Sequence, residues 1–132
     1  MTPQATEFLE KAKHLLAEAD IMLGVDLNDA AGRTACLAGF HAAQAFIFER
    51  DSKVFKTHHG VQTEFPWLTK DDPRVDGEMR LFLSRTYNLK AIADYETGPD
   101  SEVSAERAAA AVEDGKRFVT HFTALVMAPN RL

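Results

Sequence analysis

A chain of 132 residues, 45% of them hydrophobic, is sized for one domain around a single core, and residues 1–132 read as one unit. A domain of this length buries about two-thirds of the surface its unfolded chain exposes, so it needs no disulfide or metal staple. The formal net charge of −5 removes any global electrostatic drive toward nucleic acid and leaves only local basic patches for that purpose.

Cys36 is the only cysteine, which excludes an internal disulfide and fits a reducing compartment. The N-terminus lacks a basic start followed by an apolar run. No apolar stretch approaches the roughly 20 residues that span a bilayer. A cytoplasmic protein without membrane contact is expected. The nearest approaches to basic clusters, Lys53 with Lys56 and Lys116 with Arg117, read as solvated helix ends and faces.

The first helix is expected over residues 3–24. Thr2 suits an N-cap, Pro3 suits the first helical position, and Gly24 suits an end. Phe8, Ala12, Leu15, Ala19, Met22 and Leu23 recur at helical spacing between them. A second helix opens at Asn28 or Asp29, either of which can cap it, and runs to about Arg50. Its apolar residues lie most of the way round, and its many alanines keep it slim, so it belongs at the centre of a bundle.

Helical periodicity fails between Asp51 and Asp72. A turn at Lys56–Gly60 and a short helix over 59–65, ended by Pro66, fit this stretch, with Phe55, Val61, Phe65 and Trp67 as anchors to the core. A third main helix covers 73–96, stopped by Gly98 and Pro99. The fourth starts at Ser104 as cap and reaches about Met127. The fold class is therefore all-α: an antiparallel four-helix bundle with a structured crossover loop or short extra helix between helices two and three.

No Gly-rich phosphate loop, zinc-protease histidine pair or cysteine–histidine metal spacing is present, so neither a metal nor a cofactor is expected. His58 and His59 are adjacent and point apart, which makes a poor chelating pair. His41, on the central helix, reads first as a core histidine with its ring hydrogen-bonded. His58, in the crossover, reads either as a loop anchor or as a ligand contact. Tyr87, Lys90 and Asp94 project on adjacent ridges at the edge of the apolar arc of helix three, where a groove or subunit interface would lie. The plainer reading of Lys90 and Asp94 is a surface ion pair contributing a few tenths of a kcal/mol.

Four strings in order resemble the HEPN family, in its small stand-alone bacterial branch. They are Phe40-His41-Ala42-Ala43, Lys56-Thr57-His58-His59-Gly60-Val61, Lys90-Ala91-Ile92-Ala93-Asp94-Tyr95 and Val103-Ser104-Ala105-Glu106-Arg107-Ala108. The resemblance implies a homodimeric helical bundle, formed through helices two and three and often paired with a minimal nucleotidyltransferase. In several such pairs the HEPN partner is a toxin that cleaves RNA without metal. The active nucleases of the family carry an arginine and, after four to six intervening residues, a histidine at the end of helix three. Here Lys90 stands at the arginine position and Tyr95 at the histidine position of the shortest spacing. A lysine lacks the bidentate fork of arginine, and a phenol with a pKa near 10 is a poor base at neutral pH.

Two functions follow from the resemblance. One is a dimeric module that binds a nucleotidyltransferase partner or a nucleotide without standard nuclease activity. The other is an RNase toxin with a variant site: Lys90 on phosphate, and Asp94, Tyr95 or His58 handling protons. On this view the candidate catalytic residues are Lys90, Asp94 and Tyr95, and the candidate binding residues are His41, His58 and Tyr87. A helical scaffold with no nucleotide link is the third alternative.

Overall fold

The computed structural model describes residues 1–98 and 101–128, and every regular element among them is a helix. Helix α1 spans Pro3–Gly24 and starts as its sequence dictates: the Thr2 side chain accepts from the backbone N–H of Ala5, and Pro3 fills the first helical position. Thr2 also donates its backbone N–H and its hydroxyl to Glu49 Oε1, at 2.8 and 3.1 Å. This clasps the start of α1 to the end of α2 (Asn28–Asp51). The short connection over residues 25–27 makes the two an antiparallel hairpin, with Asp26 in the left-handed region at φ 60°.

The cap of α2 differs from expectation. Leu27 is the N-cap and makes no side-chain bond. Asp29 instead accepts the backbone N–H of Val103 at 2.7 Å, holding the segment before α5 (Ala105–Met127) against the start of α2. A non-local donor has displaced the local one.

The centrality of α2 is as expected, since it packs against all four other helices. Close approach depends on what is missing. A Cβ on Gly39 would lie 2.5 Å from Cε2 of Phe82, and one on Gly115 would lie 3.6 Å from Cζ of the same ring. The Phe82 ring fits between α2 and α5 because both helices present glycine to it. There it stacks on Phe118, with centroids 4.7 Å apart and an interplanar angle of 25°.

The crossover is helix α3, His58–Thr69, capped by Thr57. The sequence places its end at Pro66, but the helix continues through that residue. Val61, Phe65 and Thr69 recur every fourth residue on one face, and all three are buried. Burying that face offsets the one N–H bond that proline cannot donate. Phe65 meets the rings of Phe46, Phe118 and Phe122 at 5.9, 5.6 and 5.1 Å between centroids. Trp67 does not anchor the crossover. It follows Phe65 by two positions, about 200° around the helix, and is 64% exposed, with Lys70 Nζ 3.8 Å from its ring centroid.

Helix α4 begins at Gly77, four residues later than the periodicity suggests, and ends at Tyr95. Asp72 accepts from the backbone and guanidinium of Arg74, which folds residues 72–74 into a turn. Asp76 then caps the helix, accepting from Met79 N–H at 2.8 Å. At the other end, the expected stop at Pro99 lies outside the described residues. Helix α5 has the expected cap, with Ser104 accepting from Arg107 N–H at 3.1 Å. No described helix is long and apolar enough to cross a membrane.

Candidate functional site at the seam of α2 and α4

Where α2 passes the last turns of α4, Gly32 faces Leu89: a Cβ on the glycine would sit 3.7 Å from Cβ of the leucine. The next residue on each helix, Arg33 and Lys90, therefore emerges at the rim of one tight seam. Asp94, one turn beyond Lys90, receives both. Lys90 Nζ donates to Oδ2 at 2.7 Å and Arg33 Nε donates to Oδ1 at 2.6 Å. Lys90 and Asp94 are half-buried by the seam, and Arg33 is more open.

Two tyrosines flank this bridge. Lys90 Nζ lies 5.8 Å from the ring centroid of Tyr87 and 5.5 Å from that of Tyr95. Tyr95 is largely exposed. Tyr87 extends the cluster to α3, because the His58 ring stacks on it at 5.0 Å and 25°. His58 also meets the Phe40 ring edge-on at 4.6 Å, so this one imidazole joins α2, α3 and α4.

Lys90, Asp94, Tyr87, Tyr95 and His58 are thus brought into one continuous patch. His41 is not. Its ring stacks on Phe8 of α1 at 6.2 Å, and Phe40 stands between it and His58. His41 Nδ1 lies 2.7 Å from Gln44 Oε1, while the Gln44 amide donates to the carbonyl of Phe55 at 2.9 Å. The amide oxygen must then accept, so Nδ1 carries the hydrogen. This chain of bonds ties the stretch leading into α3 back to α2.

The charges in the patch reinforce one another. The hydrogen bond to Asp94 raises Lys90 above the usual lysine range, and the bond from Lys90, helped by Arg33, lowers Asp94 below the usual carboxylate range. His58 is held below its ordinary value by burial first, then by the charges of Lys90 and His41. His41 is lowered by burial, against the opposing pull of its bond to Gln44. Behind the seam, burial pushes the Cys36 thiol up to about 11, which keeps it protonated and unreactive at neutral pH. Chemically, the patch offers two cations sharing one carboxylate, with one positive charge in excess, two phenols and a neutral imidazole.

Arg33 is the candidate-site residue that sequence reasoning misses. It lies 61 positions from Asp94, and nothing local distinguishes it from the other arginines. Only the Gly32–Leu89 approach puts it there. Among the described residues, no three histidine, cysteine, aspartate or glutamate side chains converge as metal ligands would.

Comparison with known proteins agrees with this architecture. The crystal structure of TT1696 from Thermus thermophilus superposes with a TM-score of 0.77 at 16% sequence identity, covering 93% of this chain and 98% of that one. At that identity the likeness shows the fold alone. No curated protein matches the sequence. Residues 5–122, nearly the whole chain, match the family described as HEPN domain. The chain belongs to the HEPN domain family.

Proposed function

We propose that this chain is a dimerising HEPN module that acts with a nucleotidyltransferase-type partner, a nucleotide being the other ligand the reading admits, and that it does not cleave RNA by the Arg…His route. The observation that carries the reading is the bridge at Asp94. The residue at the family's arginine position is a lysine, and both it and Arg33 are already engaged by one carboxylate. A phosphate arriving there would have to compete with Asp94 for each of them. A phenol is in general a poor base at neutral pH, and the bond from Lys90 holds Asp94 in its weakly basic, ionised form. Leu37 on α2 and Leu81 and Tyr87 on α4 remain exposed, which suits a protein interface over these helices.

The test is sedimentation of the purified chain together with co-expression of its genomic neighbour. A dimer that co-purifies with a nucleotidyltransferase-like protein is the expected result. A monomer that retains no neighbour would sink the proposal.

A second reading, a metal-independent ribonuclease, draws on one specific observation. His58 is neutral at pH 7 because its pKa is lowered, and through Tyr87 it neighbours Lys90. A neutral imidazole beside a cation is what proton removal from a 2′-hydroxyl requires. Cleavage of RNA in excess EDTA, leaving 2′,3′-cyclic phosphate ends and lost in Lys90→Ala, would establish this reading over the first. No cleavage above a mock preparation would remove it.

A further inference from the structure

A concavity adjoins the α2–α4 seam and shares Leu89 with it. It is a groove of about 590 Å³ between α4 and α5, within the range typical of small-molecule sites. Met79, Phe82 and Leu89 of α4 and Ala111 and Phe118 of α5 line it with apolar surface. It exists because α4 rests chiefly on α2, whose Gly39 admits Phe82, while α4 and α5 touch only sparsely.

The rim of this groove carries three arginines and three acids, but they are not all paired with one another. Arg85 pairs with Glu78 at 2.6 Å, and Arg117 pairs with Asp114. Asp76 is occupied as the cap of α4. Each acid on the rim is thus engaged. Arg107, exposed one turn into α5, also lines the groove and forms no ion pair among the described residues. Asn88 adds an exposed amide on the α4 side.

We infer that the α4–α5 groove is a binding site for a small amphipathic acid, with a flat apolar body on the floor and one anionic group on Arg107. The apolar floor would bury the body and supply most of the affinity. The unmatched guanidinium would select an anion over a neutral analogue, through a charge-assisted bond at a partly exposed rim. The volume suits a compact ligand.

The probe for the test is 1-anilinonaphthalene-8-sulfonate, an aromatic body with a single anionic group, titrated into the full chain and followed by fluorescence. Its neutral relative N-phenyl-1-naphthylamine is titrated in parallel. One saturable site is expected. Ala110→Trp, at an exposed position lining the groove, should weaken both probes at least about tenfold while the thermal melt stays cooperative and unshifted. Arg107→Ala should weaken the sulfonate about fivefold and leave the neutral probe unchanged, as loss of roughly 1 kcal/mol of charge-assisted bonding requires. Non-saturable binding, or binding indifferent to Ala110→Trp, would overturn the assignment. So would equal loss of both probes in Arg107→Ala. A change of oligomeric state in Ala110→Trp would show the groove to be covered by a second copy of the chain and would likewise overturn it.

Discussion

Asp94 stands one helical turn after Lys90 and takes its ammonium on Oδ2 at 2.7 Å, which leaves Oδ1 for Arg33. One carboxylate therefore engages two cations on different helices and offsets only one of their charges. Asp94→Asn should free both. The cost in stability should be small, about 1 kcal/mol or less, because the pairs are partly exposed and screened. Affinity for a short single-stranded RNA should rise, and the slope of log affinity against log salt should steepen by up to about two phosphate contacts. Fluorescence anisotropy across a salt series reads this directly; an unchanged slope would show that the seam does not meet the backbone of RNA.

Both His41 and His58 are held below the ordinary histidine pKa of about 6.5, mainly by burial. Between the folded and unfolded values, the unfolded chain binds more protons. Stability is therefore fully present above about pH 6.5 and declines as the pH falls through that value. Asp72, lowered to about 2, and Asp94 add their losses only below about pH 4, so they leave the window from about 5 to 7 to the histidines. Thermal melts across that window should show a falling midpoint toward its acid end. His58→Phe keeps an aromatic ring against Tyr87 and should flatten part of the slope. A midpoint independent of pH would contradict the burial of these rings.

Gly39 and Gly115 both face the Phe82 ring, but their substitution should have opposite signs. Alanine in place of a helical glycine gains roughly 1 kcal/mol of propensity. At Gly39 the new Cβ would meet Phe82 Cε2 at 2.5 Å and Leu83 Cδ2 at 3.2 Å, and overpacking of that kind costs about 1–3 kcal/mol. Gly39→Ala should therefore lower stability by about 1 kcal/mol net. At Gly115 the nearest obstacle is Leu16 Cδ2 at 3.1 Å, a terminal methyl that can yield, so Gly115→Ala should be neutral or slightly stabilising. Chemical denaturation of the two variants compares them; equal effects would refute the steric distinction.

What the sequence makes legible here is what neighbours decide. Thr2 with Pro3, and Ser104, mark their helix starts because each cap acts within three residues. The all-helical class follows from periodicity, and the slim, many-sided apolar surface of α2 identifies the central helix. The misreadings share the opposite cause. Pro66 does not end α3, because burial of Val61, Phe65 and Thr69 outweighs its local effect. Asp29 is taken from capping by Val103, 74 positions away. In the candidate site, the link between Lys90 and Asp94 is visible as helical spacing, and the stacking of His58 on Tyr87 is not, because it depends on where α3 settles. Arg33 enters for the same non-local reason.

Trp67 is the only tryptophan, and it faces outward from α3 beneath the Lys70 ammonium. Its indole is already wet in the native state, so intrinsic fluorescence will change little when the core melts and will understate unfolding. The same placement makes it a background-free optical sensor for anything that docks on the outer face of α3. A blue shift on mixing would report a dry contact there, with no label attached.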